Sequence, residues 1–111
     1  MSHDKFIAAR QALKSRSNAL RAKASKRYFK TGPGQYGEGD IFCGATVPDT
    51  RFVAKQFSDL DFVDIGKLLK SPIHEERLLG LLILVGQFQG ADKKQQELIY
   101  NFYFRNLAAV N

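Results

Sequence analysis

The sequence predicts an all-α protein in which short helices stack as a partial α-solenoid. Apolar residues recur at helical spacing in successive segments, and short connections rich in glycine, proline and capping residues separate these segments. Alternation of apolar and polar residues, which is typical of strands, does not last four residues outside the glycine-rich segment. The 111 residues make at most one domain, with a basic helical segment over residues 1–30, a glycine-rich loop over 31–46 and helical repeats over 47–111.

The composition of residues 3–30 predicts a helix, because this segment is rich in alanine and contains no proline or glycine. Asn18 and the serines around it predict a break near residues 15–18, and Gly32 with Pro33 ends the helix. The apolar residues that lie near one stripe of the segment are Phe6, Ala9, Leu13 and Leu20.

Two short helices are predicted next, over residues 48–57 and 61–70. Pro48 suits the first turn of the first helix, where its missing N–H has no intrahelical partner, and either Asp59 or Asp61 caps the second. The residues expected to face inward are Phe52, Val53 and Phe57 in the first helix and Phe62, Ile65, Leu68 and Leu69 in the second.

A third helix is predicted to begin with Ser71 as its cap and Pro72 in its first turn. Its apolar run over residues 78–85 covers nearly every side, which predicts a position in the middle of the structure. The run is far shorter than the roughly 20 residues that span a bilayer, so no membrane partner is expected. Asp92 caps the last helix. The apolar face of that helix consists of Leu98, Ile99, Phe102, Tyr103 and Leu107.

The net charge of +6 is unevenly distributed along the chain. Residues 1–30 carry nine Lys or Arg side chains and one acid, whereas the rest of the chain carries eight basic and ten acidic side chains. A basic segment on a mildly acidic body is typical of a protein that binds nucleic acid, and equally of a solvated helix face. The strongest binding candidate is the run over residues 26–30, in which three cations surround Tyr28 and Phe29.

Other motifs do not indicate a cofactor or a metal. Residues 32–37 match the spacing G-x-G-x-x-G, but a long helix precedes them where the dinucleotide fingerprint needs a strand, so no cofactor is expected. His74 has no second histidine one helical turn further on, so no metal is expected.

Several polar residues near the third helix are interpreted as structural. Glu75 and Glu76 are expected at the surface, where they match the positive end of the helix dipole. Alternatively, Arg77 turns inward and pairs with one of them or with Asp64. Cys43 is the only cysteine, and a small buried hydrophobe is favoured over a nucleophile.

Three stretches resemble the AlkD-like family of DNA alkylation repair proteins, which are built from HEAT-like helical repeats. They are residues 36–40 (YGEGD), 47–49 (VPD) and 71–77 (SPIHEER), and the resemblance extends from about residue 20 to the end of the chain. It implies a HEAT-like repeat superhelix, of which these residues form the N-terminal part.

The resemblance also implies a DNA-binding surface. The family's Arg-Tyr-x-Lys pattern, whose tyrosine faces the DNA cleft, matches residues 27–30, and its Phe-x-Gly segment matches residues 42–44. Two further positions are expected to border the cleft. The implied DNA-binding residues are Lys26, Arg27, Tyr28, Lys30, Thr46 and Arg51.

Family members that resemble this chain are glycosylases that excise purines alkylated at N3 or N7 from double-stranded DNA. In them an aspartate with flanking tryptophans stabilises the oxocarbenium-like sugar. This sequence has no tryptophan and ends before the aspartate-bearing segment. We therefore expect a DNA-binding fragment that is inactive alone, with a C-terminal half missing or with self-association through its last helix. The alternative is a non-catalytic scaffold that binds DNA or protein. A location in the bacterial cytoplasm and nucleoid, or in a nucleus, is expected.

Overall fold

The computed structural model describes the backbone of residues 2–28 and 41–106 and the side chains of residues 4–27 and 41–106. These parts of the chain form six helices and no strand, which confirms the all-α prediction and is compatible with a helical repeat fold. The helices are α1 (Ser2–Lys14), α2 (Ala19–Tyr28), α3 (Val47–Gln56), α4 (Phe62–Leu69), α5 (His74–Gln89) and α6 (Lys93–Arg105). None of them is long and apolar enough to cross a membrane.

The predicted break in the N-terminal segment separates α1 from α2. Serine hydroxyls cap the end of α1, where Ser17 Oγ donates to the carbonyl oxygen of Leu13. The side chain of Asn18 then accepts from the backbone N–H of Arg21 and starts α2. Because the break separates the two helices, Leu20 lies on α2 and is 80% exposed, so the predicted stripe with Phe6, Ala9 and Leu13 does not extend to Leu20.

The apolar helix α5 lies in the middle of the structure, as its sequence predicts. It packs against α3, α4 and α6, and α1 packs against α3 and α4. The core that forms between these helices includes Leu13, Val53, Ile65, Leu68, Leu69, Leu79 and Ile83, all fully buried. Burial of such side chains stabilises the fold by about 1.5–3 kcal/mol each.

Two aromatic contacts show how the outer helices meet the core. The rings of Phe62 on α4 and Phe102 on α6 stack with their centroids 4.5 Å apart. In contrast, Phe52 is 48% exposed, because its ring lies under the guanidinium of Arg16 rather than in the core. Leu98 is 50% exposed, since α6 turns Ile99 and Phe102 inward instead. The predicted burial of Phe52 and Leu98 is therefore wrong.

The helix caps are partly as predicted. Asp61 and Asp92 cap α4 and α6 by accepting from the backbone N–H three residues on. Ser71, however, is not the cap of α5, which begins at His74 after Ile73. The hydroxyl of Ser71 instead accepts from the N–H of Ile73 and donates to Glu76. Ser71 therefore connects the segment before α5 to Glu76 in the first turn of the helix.

An ion pair joins the end of α1 to the start of α3. Arg16 Nη1 lies 2.8 Å from Asp49 Oδ1, and the same guanidinium lies 4.2 Å from the centroid of the Phe52 ring. A side-chain hydrogen bond with Thr46, followed by the one from Arg16, holds the pKa of Asp49 below its ordinary value. The charged form of Asp49 is thus favoured in the folded protein.

Gly66→Ala should stabilise the protein. Gly66 is buried within α4, and an added Cβ would lie 3.6 Å from Phe102 Cζ, an ordinary contact distance. Since alanine is the better helix former, we expect the free energy of unfolding in urea to rise by about 0.5–1 kcal/mol. A fall would contradict the spacing between α4 and α6. Gly44→Ala is the contrasting variant, because its φ of +84° and a Cβ 2.0 Å from the Asn18 carbonyl oxygen forbid the change.

Asp49→Asn should lower stability in a way that depends on pH. A carboxylate whose folded-state pKa is lowered stabilises the fold above its ordinary pKa and loses this effect as pH falls through the folded-state pKa. The difference in melting temperature between wild type and Asp49→Asn should therefore be largest near neutral pH and shrink below pH 3.8. Asp4→Asn removes an equal charge from an exposed position and is the control. A difference that stays constant with pH would contradict the role of the ion pair.

Candidate nucleic-acid interface

The segment over residues 41–46 docks on the start of α5. The backbone N–H of Ile41 donates to the carbonyl oxygen of Pro72 over 3.3 Å, and the N–H of His74 donates to the carbonyl oxygen of Ile41 over 2.7 Å. The rings of Phe42 and His74 lie 4.9 Å apart. The last part of the glycine-rich loop, residues 41–46, is thereby held against the start of the central helix α5.

Glu75 extends this docking with both oxygens of its carboxylate. Oε1 accepts from the backbone N–H of Cys43 over 3.0 Å, and Oε2 accepts from the N–H of Gly44 over 2.9 Å. Only 5% of the residue is exposed. The two amides and the positive end of α5 compensate the buried charge. The expectation that Glu75 lies at the surface is therefore wrong, although the helix dipole favours it as predicted.

The same turn holds the first turn of α2. The backbone N–H of Asn18 donates to the carbonyl oxygen of Cys43 over 3.1 Å, and Arg21 Nε donates to that of Gly44 over 2.7 Å. Gly44 lies against Asn18 so closely that an added Cβ would be 2.0 Å from the Asn18 carbonyl oxygen. This approach and its positive φ require glycine. We call Glu75, Cys43, Gly44, Asn18 and Arg21 the Glu75 latch.

The helix that this latch holds presents its cations to solvent. Lys23, Lys26 and Arg27 are exposed, and no side chain described within α2 is buried. Lys26 and Arg27 are thus placed on an exposed basic helix. Tyr28 is the last residue of α2, but its side chain and the whole of Lys30 lie outside the described residues.

The two other predicted site residues lie on the start and the body of α3. Thr46 is half-buried, and its hydroxyl caps α3 by accepting from the N–H of Asp49 over 3.1 Å. Because Thr46 follows Gly44 closely, it lies near the first turn of α2. Arg51 is exposed on α3, which packs against α1 and α5. Thr46 therefore lies at the cap of α3, two residues after Gly44 in the chain, whereas Arg51 lies further along α3 at an exposed position.

A second basic surface was not predicted from the sequence. Lys67 on α4, Lys70 at the C-terminal cap of α4 and Arg105 on α6 line a groove of about 510 Å³, which also includes the apolar side chains of Phe62 and Phe102. Lys67 also lies 3.7 Å from Asp64. The spacing of Lys67 and Lys70 on one helix face was a usable signal. Arg105 is far along the chain, and only the packing of α6 beside α4 brings it to the groove.

Buried polar residues around α5 also join it to α1. Glu76 is buried, and its carboxylate accepts from Arg10 Nε over 3.0 Å and from the hydroxyl of Ser71 over 2.8 Å. Arg77 does turn inward, where Nη1 donates to the carbonyl oxygen of Ser71 over 2.9 Å. Glu76, like Glu75, is therefore not a surface residue.

The acidic and thiol groups of the described chain are each placed by caps, ion pairs, burial or exposure. Asp49 and Asp59 are in ion pairs, Asp61 and Asp92 cap helices, and Asp4 and Glu97 lie on exposed faces. Asp64 is fully buried, and its oxygens have no hydrogen-bond partner within the described chain. Burial raises the pKa of the half-buried Cys43 thiol, which disfavours the nucleophilic thiolate.

Comparison with known proteins supports the resemblance found in the sequence. The model of the family described as DNA alkylation repair enzyme matches residues 9–111. Neither the curated proteins nor the solved structures give a significant match. The match spans nearly the whole chain, so the protein belongs to the DNA alkylation repair enzyme family, for which DNA is the expected partner.

Proposed function

We propose that this chain is the N-terminal DNA-binding part of a HEAT-like glycosylase that excises N3- or N7-alkylated purines from double-stranded DNA. The observation that carries the proposal is a basic helix, α2, which is docked at its first turn and exposes Lys23, Lys26 and Arg27. Cations held on a fixed element can contact consecutive phosphates, and phosphate contacts supply most of the sequence-independent affinity for DNA. Base excision repair acts on lesions in many sequence contexts, which suits such binding.

The groove between α4 and α6 is the second proposed phosphate contact. Lys70 and Arg105 have no ion pair within residues 2–28 and 41–106, so their charges are available to an anion. The site also offers the apolar side chains of Phe62 and Phe102. Thr46, Arg51, Tyr28 and Lys30 remain proposed contacts on the basis of the family resemblance.

The chemical step is proposed to depend on residues other than the described carboxylates. A glycosylase of this type needs a carboxylate that faces the sugar as positive charge develops there. The carboxylates in the described chain are buried, capping, paired or on exposed helix faces. We therefore propose that this chain binds DNA without excising a base, at the cellular site of the DNA, in the bacterial nucleoid or a nucleus.

A non-catalytic scaffold is the second candidate function, and one observation favours it. Leu81, Val85 and Phe88 on α5, with Tyr100 and Tyr103 on α6, line an apolar groove of about 270 Å³. Val85 and Tyr100 are exposed, and large exposed apolar surfaces are typical of sites that bind protein. Self-association through the last helix is the proposed form of this contact.

Neutralising Lys26, Arg27 and Lys30 together to Gln should weaken binding to double-stranded DNA of any sequence. Each lost phosphate contact should reduce the slope of log affinity against log salt by about 1. Fluorescence anisotropy of a labelled duplex across several salt concentrations measures both quantities. The control is Lys55, Lys93 and Lys94 changed to Gln, which removes three exposed charges from α3 and α6. Equal affinity of the first variant and wild type would contradict the proposed surface.

The chain alone should bind alkylated DNA but release no 7-methylguanine from it. The measurement is chromatography of the bases freed from methylated duplex DNA, with anisotropy on the same sample to show that the protein binds. Release above the rate without protein, at a level that scales with protein concentration, would contradict the proposed division between binding and chemistry.

A further inference from the structure

We infer that Glu75 is a positioning residue for DNA binding, because it fixes the turn that orients the basic helix α2. The inference rests on the proposed function for its effect on DNA, whereas the latch itself is a property of the fold. Glu75 does not reach the exposed cations; it acts on them through Cys43, Gly44 and Arg21.

The described side chains of α2 contribute little apolar packing. Within the described chain, Ala22 and Ser25 are its only half-buried side chains, and Leu20 is 80% exposed. The extended helix contacts of the fold are made between the other five helices. Among the described residues, the contacts that fix the direction of α2 are therefore mainly the polar ones at its first turn.

The polar contacts at the first turn of α2 converge on the backbone of two consecutive residues, Cys43 and Gly44. Their carbonyl oxygens hold α2, since that of Cys43 accepts from Asn18 and that of Gly44 accepts from Arg21. Their N–H groups are held by the carboxylate of Glu75. Arg21 also donates to the carbonyl oxygen of Arg16 over 3.3 Å, which ties α2 to the end of α1. Glu75 thus links the backbone of Cys43 and Gly44 directly to the buried helix α5, beside the contacts that Ile41 and Phe42 make with its start.

The hydrogen bonds of Glu75 and Arg21 need these two side chains in particular. A carboxylate has acceptors only, so both of its oxygens can receive an N–H. Glutamine has the same shape but one of its two ends is an amide NH₂, which would face a backbone N–H and lose that hydrogen bond. Lysine at position 21 keeps the charge of arginine but cannot reproduce the Nε donor at its fixed angle. Glu75→Gln and Arg21→Lys thus loosen the same latch from opposite sides.

The consequence for DNA is an entropic cost. A helix held in its binding orientation loses little freedom when DNA binds, whereas a loosened helix must be ordered at that moment. Glu75→Gln also removes a negative charge, and that change alone would favour DNA. For Glu75→Gln, loss of the latch predicts weaker DNA binding, whereas the loss of a negative charge alone predicts stronger binding. The direction of the change in affinity therefore distinguishes the two explanations.

The first measurement is amide hydrogen exchange of the free protein. In Glu75→Gln, amides of α2 should exchange about tenfold faster, as expected for the loss of one charge-assisted hydrogen bond, while those of α4 and α5 stay as in wild type. Arg21→Lys should act in the same direction. The control is Glu97→Gln, which removes an equal charge from an exposed position on α6. Unchanged exchange of α2 in both latch variants would overturn the inference.

The second measurement is affinity for a DNA duplex by anisotropy. Glu75→Gln should bind about three- to tenfold more weakly than Glu97→Gln, and this loss should vanish when Lys23, Lys26 and Arg27 are already neutralised. Equal affinity of the two single variants, or a loss that persists in the neutralised background, would overturn the positioning role. If wild type shows no salt-dependent binding, the proposed function fails, and the positioning role fails with it although faster exchange would still establish the latch.

Discussion

The structure depends on how two consecutive buried carboxylates are compensated in the first turn of α5. A buried charge is costly unless hydrogen bonds or an opposite charge replace the water it loses. Glu75 is compensated by two backbone amides, and Glu76 by Arg10 and the hydroxyl of Ser71. Because these partners come from different parts of the chain, the central helix gathers the segment over residues 41–46 on one side and α1 on the other. The apolar core holds the helices together, and the two carboxylates determine how the N-terminal elements attach to them.

This arrangement explains how the basic helix α2 keeps a defined position although it contributes little to the apolar core. No described side chain of α2 is fully buried, so this helix depends on directional polar contacts for a defined position. Those contacts are provided at its first turn by Arg21 and Asn18. The other cations of α2 whose side chains are described, Lys23, Lys26 and Arg27, lie at exposed positions. Within the described chain, α2 is attached mainly through its first turn, so its orientation is sensitive to a few hydrogen bonds, whereas the orientation of α5 depends on the whole core.

The sequence predicted the features whose causes are local. Asp61 and Asp92 cap helices because their side chains reach the amides three residues on, and the apolar run of α5 needs cover on every side. Features that depend on distant segments were missed. Ser71 resembles a cap, but Ile41 bonds to Pro72 and His74 on either side of Ile73, and the helix begins only after that bridge.

The same distinction holds for the candidate site. The exposed cations of α2 followed from composition alone, since the helix has no apolar face that could bury them. The burial of Glu75 could not be predicted from the sequence. An acid in the first turn of a helix is favoured by the helix dipole whether it is exposed or covered by another segment. The groove between α4 and α6 needed Arg105 to meet Lys70, and this meeting depends on the stacking of Phe102 on Phe62. Sequence spacing within one helix contains no information about that contact.

The burial of Glu75 also affects the electrostatic field at the surface of the protein. Glu75 is neutralised by peptide dipoles rather than by a cation, so its compensation removes no lysine or arginine from the surface. Glu75 is only 5% exposed, so its charge lies beneath the turn and away from the solvent that surrounds α2. The net charge of +6 counts every acid equally and therefore understates how cationic the face of α2 is. A polyanion that approaches this face meets Lys23, Lys26 and Arg27 at the surface, while Glu75 and Glu76, which offset two positive charges in the sum, are buried.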